Sequence, residues 1–415
     1  MNDHRVVVTG MGVVTPVGIG VENTWQALLA GRSGVTIITR FDVSDFPTQF
    51  AAEVSDFEPE KYMDFRTAKR TARFTQLALA ATQEAIQSAA LDLSKEDMTR
   101  VGIEMGTAIG GINMVEEQSI VYHEKGFRRV NPALIPAILP SAGACHIAIE
   151  LGIKGPTEAP VAACATGVVS VGQAMHHLQS GRADLMLAGG SESATSPLAL
   201  ATFSRVGVLS TRNDAPEKAC RPFDAQRDGT VMGEGAAMLV LETLEHAQRR
   251  GAPILAEVLG YGLTEDAYHI AAPDPTGEGA ARAMQMAMED AGVAPQEVDY
   301  LVPHGTGTLL NDASETRACK IAFGEHAYRI PISSNKSMLG HILGAAGAIS
   351  TVVAILAMRD NILPPTINLD FPDPECDLDY VPNQSRRAQV DTAMVNALGF
   401  GGQDATVVVR RLRGS

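Results

Sequence analysis

The feature that most constrains this chain is an internal replay. The series Ala89-Ala90-Leu91, Val101-Gly102, Met105-Gly106-Thr107 recurs in the same order as Asp290-Ala291-Gly292, Val298-Asp299, His304-Gly305-Thr306. Likewise Met232–Glu242 and Gly399–Val409 are both glycine-rich turns feeding a valine-rich closing strand. The copies stand about 170 to 200 residues apart, too far for a solenoid and suited to a duplicated domain. The second copy begins near Leu255, which divides the chain into halves 1–254 and 255–415. In both halves, apolar runs such as Val101–Gly106 and Tyr300–Pro303 alternate with alanine-rich helical patterns, Thr71–Ala90 and Gly279–Ala291. That alternation predicts an α/β fold with buried mixed sheets.

Local punctuation adds detail. Arg5–Thr9 is a β-rich run closed by Gly10, with Gly12, Pro16, Gly18 and Gly20 marking a long turn. No GxGxxG follows it, so a dinucleotide fingerprint is absent. Glu22–Ala30 and Ser141–Leu151 read as helices, Pro132–Pro140 as a broken segment, and residues 31–66 as an irregular surface stretch. A net charge of −15 argues against non-specific nucleic-acid binding. Five cysteines without a CxxC pair fit a reducing compartment. Apolar runs are interrupted before 18 residues and Met1–Val8 lacks a signal pattern, so a soluble, non-secreted, cytoplasmic chain without a membrane span is expected.

Three stretches carry chemistry. In Gly155–Gly190, Pro160–Ala163 reads as a strand end, Ala165–Gln179 as a small-residue helix with Gly181 past its end, and Leu185–Ala188 as the next strand. Cys164 thus stands at a strand-to-helix turn, where free N–H groups and the helix dipole favour a thiolate; a buried packing cysteine is the alternative. The second stretch, His304-Gly-Thr-Gly-Thr308, follows a strand at the end where α/β folds keep their sites. Asp312 and Glu315 come next, with helix capping as the plain explanation for such acids. The third holds Lys336 and His341 in an apolar, glycine-rich setting. The other histidines and cysteines read as structural. A cysteine with two histidines and a lysine departs from a hydrolytic Cys/His/Asp set. Two neutral imidazoles can instead stabilise a thioester enolate, the chemistry of decarboxylative carbon–carbon bond formation. Metal ligation by Cys164, His304 and His341 is possible in principle, but no short ligand spacing supports it.

Through Ala163-Cys164-Ala165, Arg221-Pro-Phe-Asp224, Arg227-Asp-Gly229, His304–Thr308, Lys336–His341 and Gly399-Phe-Gly-Gly402, the chain resembles the β-ketoacyl-[acyl-carrier-protein] synthases of the thiolase superfamily. The resemblance runs nearly end to end. It implies a thiolase-like five-layered αβαβα fold from two duplicated halves, a homodimer or a heterodimer with a chain-length partner, and no organic cofactor or catalytic metal. It implies that acyl and malonyl groups arrive on an acyl carrier protein. Cys164 would take the acyl group, His304 and His341 would stabilise the enolate, and Lys336 would organise the charge with Asp312 and Glu315. The N–H groups of Cys164 and Phe400 would form the oxyanion hole, with Phe400 also a gate. Thr306 and Thr308 would contact the pantetheine arm, and Ile109 and Phe203 the acyl chain. Two basic clusters, Arg66/Lys69/Arg70/Arg73 and Lys125/Arg128/Arg129, would dock the acidic carrier. The chain departs from the family pattern at Thr230, Pro303, Ser350, Ala397, Gln403 and Asp404. Ser350 replaces a glutamate that in several members helps bind an alkali cation. The departures cluster near the catalytic floor and point to a specialised acyl substrate or polyketide pathway as the alternative to fatty-acid elongation.

Overall fold

The computed structural model describes residues 4–412. The first half contributes β1 (Val6–Thr15), α1 (Arg73–Ser88), β2 (Val101–Gly106), α2 (Thr166–Gln179), β3 (Leu185–Glu192) and β4 (Gly235–Thr243). The second contributes β5 (Ala256–Glu265), α3 (Glu278–Ala291), β6 (Tyr300–Val302), α4 (Leu309–Phe323), α5 (Leu343–Asp360), β7 (Thr392–Leu398) and β8 (Gln403–Arg410).

Strand polarity makes the duplication explicit. β1 pairs antiparallel with β4, β4 antiparallel with β3, and β3 parallel with β2. The second half repeats this as β5, β8, β7 and β6, with the same senses. The replayed segments fall on equivalent strands, β2 with β6 and β4 with β8. The two halves do not form separate sheets. Val6, Val7 and Val8 pair antiparallel with Val258, Glu257 and Ala256, joining them into one ten-stranded sheet.

That sheet wraps around a shared helical layer. Both α2 and α5 pack on strands of each half, while α1 covers the outer face of β1, β4 and β3. On the opposite outside, α3 covers β5 and β8, and α4 packs on α3. The result is five layers, αβαβα. α5 is long and apolar enough to span a membrane by length and composition, yet 89% of it is buried. A helix between two sheets is apolar all round because it has no solvent face.

Several local expectations need correction. Gly10 and Gly12 do not end β1; they lie inside it. A Cβ at Gly10 would stand 2.3 Å from the Ala85 carbonyl oxygen of α1, and one at Gly12 2.0 Å from that of Ala81. These glycines let helix and strand touch, which a turn reading misses. Residues 31–66 are not mere surface, because Val35, Ile38, Phe50, Ala51, Ala52 and Val54 are buried. Pro160–Ala163 is not a strand end; only Thr157–Glu158 pairs with β2, and Ala163–Ala165 is a 3₁₀ turn. Cys145 is exposed rather than packed.

Candidate active site

The turn that bears Cys164 is strained. Ala163 adopts φ +46°, a left-handed conformation that costs a non-glycine residue on the order of 1–3 kcal/mol. The next residue, Cys164, is buried at the N-terminal end of α2. By the duplication, His341 occupies the matching place just before α5. The two helices cross where small residues allow close approach: a Cβ on Gly167 would meet the Ala348 nitrogen at 2.5 Å. This crossing brings His341 Nε2 to 3.0 Å from Cys164 Sγ. The His304 ring packs edge-on to His341, with centroids 5.1 Å apart.

The loop His304–Thr308 is held by the two acids, and neither is a helix cap. Glu315 accepts from the backbone N–H of His304 and of Gly305, both at 2.7 Å. Asp312 accepts from the N–H groups of Thr306, Gly307 and Phe223. The N-cap of α4 is instead Thr308. Arg227 donates to the carbonyls of Thr308 and Leu309 and sits 3.7 Å from Asp312, while Arg221 pairs with Asp224. The Arg-Pro-Phe-Asp and Arg-Asp-Gly segments thus brace the histidine loop.

Electrostatics follow from burial. Desolvation, helped by the Lys336 charge, holds His304 and His341 well below the usual imidazole value, so both are neutral. Lys336 is buried and lowered by desolvation, with Glu315 acting against that. The expected resting thiolate is corrected: burial pushes the Cys164 thiol up to about 12. Lys336 and the N–H groups of Phe400 and Cys164 oppose that rise without cancelling it. The helix end is outweighed because the sulfur has lost its water.

Above the thiol lies a cavity of about 350 Å³. Its walls include Ile109, Phe203, Thr306, Thr308 and Phe400, as well as Cys164, His304 and His341. Ile109 and Phe203 belong to an apolar cluster that contains Cys164, Leu209, Met232 and Leu343. Thr306 and Thr308 share a 3.0 Å hydroxyl contact at the wall. The Phe400 side chain is 41% exposed at the rim. Among the departures, Thr230 and Asp404 line the cavity, whereas Ser350 is buried away from it, accepting from Asn335.

The basic residues are not part of this cavity. Lys69, Arg70, Arg128 and Arg129 are exposed; Lys69 lines a separate depression with Arg40 and Asn113. Arg73 leaves that set, because its guanidinium is committed to the buried Glu234 and to the Val54 carbonyl. Sequence reading missed Glu192 and Asp266. Glu192, buried at the end of β3, accepts from Ala108 N–H, Thr107 Oγ1 and Gly344 N–H, fixing Ile109's turn beside α5. A charge ending the apolar run of β3 was the available signal. Asp266 reaches the cavity on a loop, with no local signal. The atoms of Cys164, His304 and His341 lie within 4.8 Å of one another, close enough to hold a metal ion.

The duplicated five-layered fold and the paired helix ends carrying a cysteine and a histidine are thiolase-like. Residues 3–247 match the model "Beta-ketoacyl synthase, N-terminal domain", and residues 255–370 match "Beta-ketoacyl synthase, C-terminal domain". The chain belongs to the beta-ketoacyl synthase family. It is 48% identical to the 3-oxoacyl-[acyl-carrier-protein] synthase 2 of Coxiella burnetii, covering 99% of this chain and 100% of that one. It is 47% identical to the Synechocystis protein of that name, covering 99% of each. Among solved structures, the ishigamide ketosynthase/chain length factor is 37% identical with a TM-score of 0.93, covering 99% of this chain and 100% of that one. A type II PKS acyl-carrier protein in complex with its ketosynthase matches at 36% identity and a TM-score of 0.91, with the same coverage.

Proposed function

We infer that this chain is a 3-oxoacyl-[acyl-carrier-protein] synthase that elongates fatty acyl groups by decarboxylative condensation. The observation that carries the mechanism is the 3.0 Å contact between Cys164 Sγ and a neutral His341, at the floor of an apolar cavity. In the first step His341 accepts the thiol proton as sulfur attacks the carrier-bound thioester. The acyl carbon–sulfur bond passes to Cys164 and the carrier thiol leaves with a proton. The Cys164 and Phe400 N–H groups stabilise the oxyanion, a contribution of about 10²–10³-fold per donor. In the second step malonyl-carrier protein loses CO2. His304 and His341, the latter now as its Nε2–H tautomer, donate to the enolate oxygen, and the carbanion attacks the acyl-Cys164 carbonyl. The 3-oxoacyl chain departs on the carrier, and the Cys164 thiolate takes a proton from water, the condensation consuming one proton overall.

Lys336 stabilises the developing negative charge, and Asp312 and Glu315 position its neighbours. Thr306 and Thr308 take the pantetheine arm, while Ile109 and Phe203 bound the acyl chain. The halves 1–254 and 255–415 supply the nucleophile and the electrophilic pair respectively. The partner is an acyl carrier protein, docked through Lys69, Arg70, Arg128 and Arg129. A second copy of the chain covers the exposed apolar side chains Ile135, Ile149, Val161 and Leu198. Ile135, Ile149 and Leu198 lie on helices packed in series out to the edge strand Thr157–Glu158, and Val161 follows that strand, the kind of patch that marks an interface.

Intact-mass measurement after mixing with acyl-carrier protein should show a full acyl adduct on the wild type and none on Cys164→Ala; the reverse pattern removes the nucleophile assignment. His304→Ala should acylate normally but release CO2 from malonyl-carrier protein at least about 10²-fold more slowly. Unimpaired CO2 release would take His304 out of the decarboxylation step.

A further inference from the structure

Glu192 is a fully buried acid that the condensation steps do not use. It ends β3 and reaches two stretches of backbone that come from different halves of the chain. Its Oε2 accepts from the Ala108 N–H at 2.7 Å and from the Gly344 N–H at 3.1 Å, and its Oε1 from the Thr107 hydroxyl at 2.9 Å. Thr107 Oγ1 accepts in turn from the Gly110 N–H at 3.3 Å, which closes the turn bearing Ile109. These partners all donate, so the site suits the anion; they oppose burial, which pushes the carboxyl up to about 7. The two stretches are in backbone contact, since a Cβ on Gly344 would stand 2.5 Å from the Ala108 nitrogen. Next to Gly344, Leu343 adopts φ +38°, a left-handed conformation that a non-glycine residue keeps only with outside support. Ala108, Ile109 and Leu343 all line the cavity.

We propose that, given the acyl-transfer reading of the cavity, Glu192 is a positioning residue that sets acyl-chain specificity: it clamps the turn bearing Ile109 to the strained Leu343 turn and so fixes the wall that the chain meets. A wall built from two separate stretches of backbone keeps a defined shape only if something ties them, and a carboxylate shared between two N–H donors does so. An anion at the first turn of α5 also meets the positive end of that helix. The catalytic pair does not depend on this tie. His341 is held by its own backbone, donating to the Val231 carbonyl at 2.6 Å and accepting from the Gly233 N–H at 3.0 Å. Cys164 is delivered by α2. Loss of the clamp therefore changes which chains are accepted and leaves the thiol and the imidazole together. The Glu192 charge also adds to the rise of the Cys164 thiol, an effect that falls on every chain alike and cancels in a ratio of rates.

Single-turnover transfer to Cys164 from carrier-bound acyl chains of increasing length, read by intact mass, tests this. The wild type should take one chain length fastest, and Glu192→Ala should lower the ratio of that rate to the acetyl rate at least about tenfold. Glu192→Gln should restore the ratio, because its amide oxygen can face the two N–H groups while its NH2 faces Thr107 Oγ1. An unchanged ratio in Glu192→Ala overturns the proposal, as does a wild type without a length preference. A ratio as low in Glu192→Gln as in Glu192→Ala also overturns it, since charge rather than the clamp would then be at work. Should Glu192→Ala fail to fold, Thr107→Val removes a single donor and should still lower the ratio; an unchanged ratio there overturns the proposal. No adduct on the wild type with any chain would instead remove the acyl-transfer reading itself.

Discussion

Cys164, His304 and His341 were recognisable in the sequence because their residue types are costly to leave unexplained in apolar, glycine-rich surroundings. Their protonation states were only half legible. Neutral imidazoles followed from the chemistry, but the thiol's rise followed from burial that no local pattern shows. Asp404 makes the point most sharply. It lines the cavity, is 3% exposed, and is pushed up to about 9 by burial and by the nearby Asp266. Between its ordinary 3.8 and that value, the folded chain holds a proton that the unfolded chain has released. Stability contributed by this residue therefore falls as pH rises through that window. Asp404→Asn keeps the shape and removes the titration. Thermal melts should show the variant more stable than wild type, by a margin that widens from about pH 5 to about pH 8. A margin independent of pH would mean that Asp404 is already ionised in the folded chain.

The crossing of α2 and α5 does at the level of elements what no single residue could. It sets two helix ends side by side, and Cys164 and His341 are delivered by those ends. Strand and helix types were legible from periodicity, as β2, α1 and α3 show. The crossing was not, because small-residue runs say that something approaches closely without saying what. The same ambiguity hid Gly10 and Gly12 inside β1. Gly167→Ala tests the crossing. Alanine is the better helix former by about 1 kcal/mol, so propensity alone predicts a gain. The 2.5 Å approach to the Ala348 nitrogen predicts the opposite. Backbone cannot yield as a flexible side chain can, so overpacking should win by about 1–3 kcal/mol. Urea unfolding should show a lower midpoint, and condensation should slow because Cys164 moves with the end of α2.

Taken whole, the molecule is an acidic enzyme for which the resemblance implies an acidic carrier. With 33 basic residues against 48 acidic ones, long-range attraction is unavailable and docking has to be local. Lys69→Glu combined with Arg128→Glu should raise KM for carrier-bound substrate about tenfold at low salt, leaving turnover of a small non-carrier thioester unchanged. The effect should shrink once the Debye length falls to about 8 Å, near 0.15 M ionic strength. An equal loss with both substrates would place these residues in the catalytic machinery instead. At this scale the duplication was legible but the seam was not, since nothing in Val6–Val8 announces a partner in Ala256–Val258. That seam, with the helical layer both halves share, has a consequence for folding. Neither half owns a complete interior: removing one strips α2 and α5 of half their packing and leaves an open strand edge. Twofold ancestry has therefore ended in a single cooperative unit, in which the halves form and melt together.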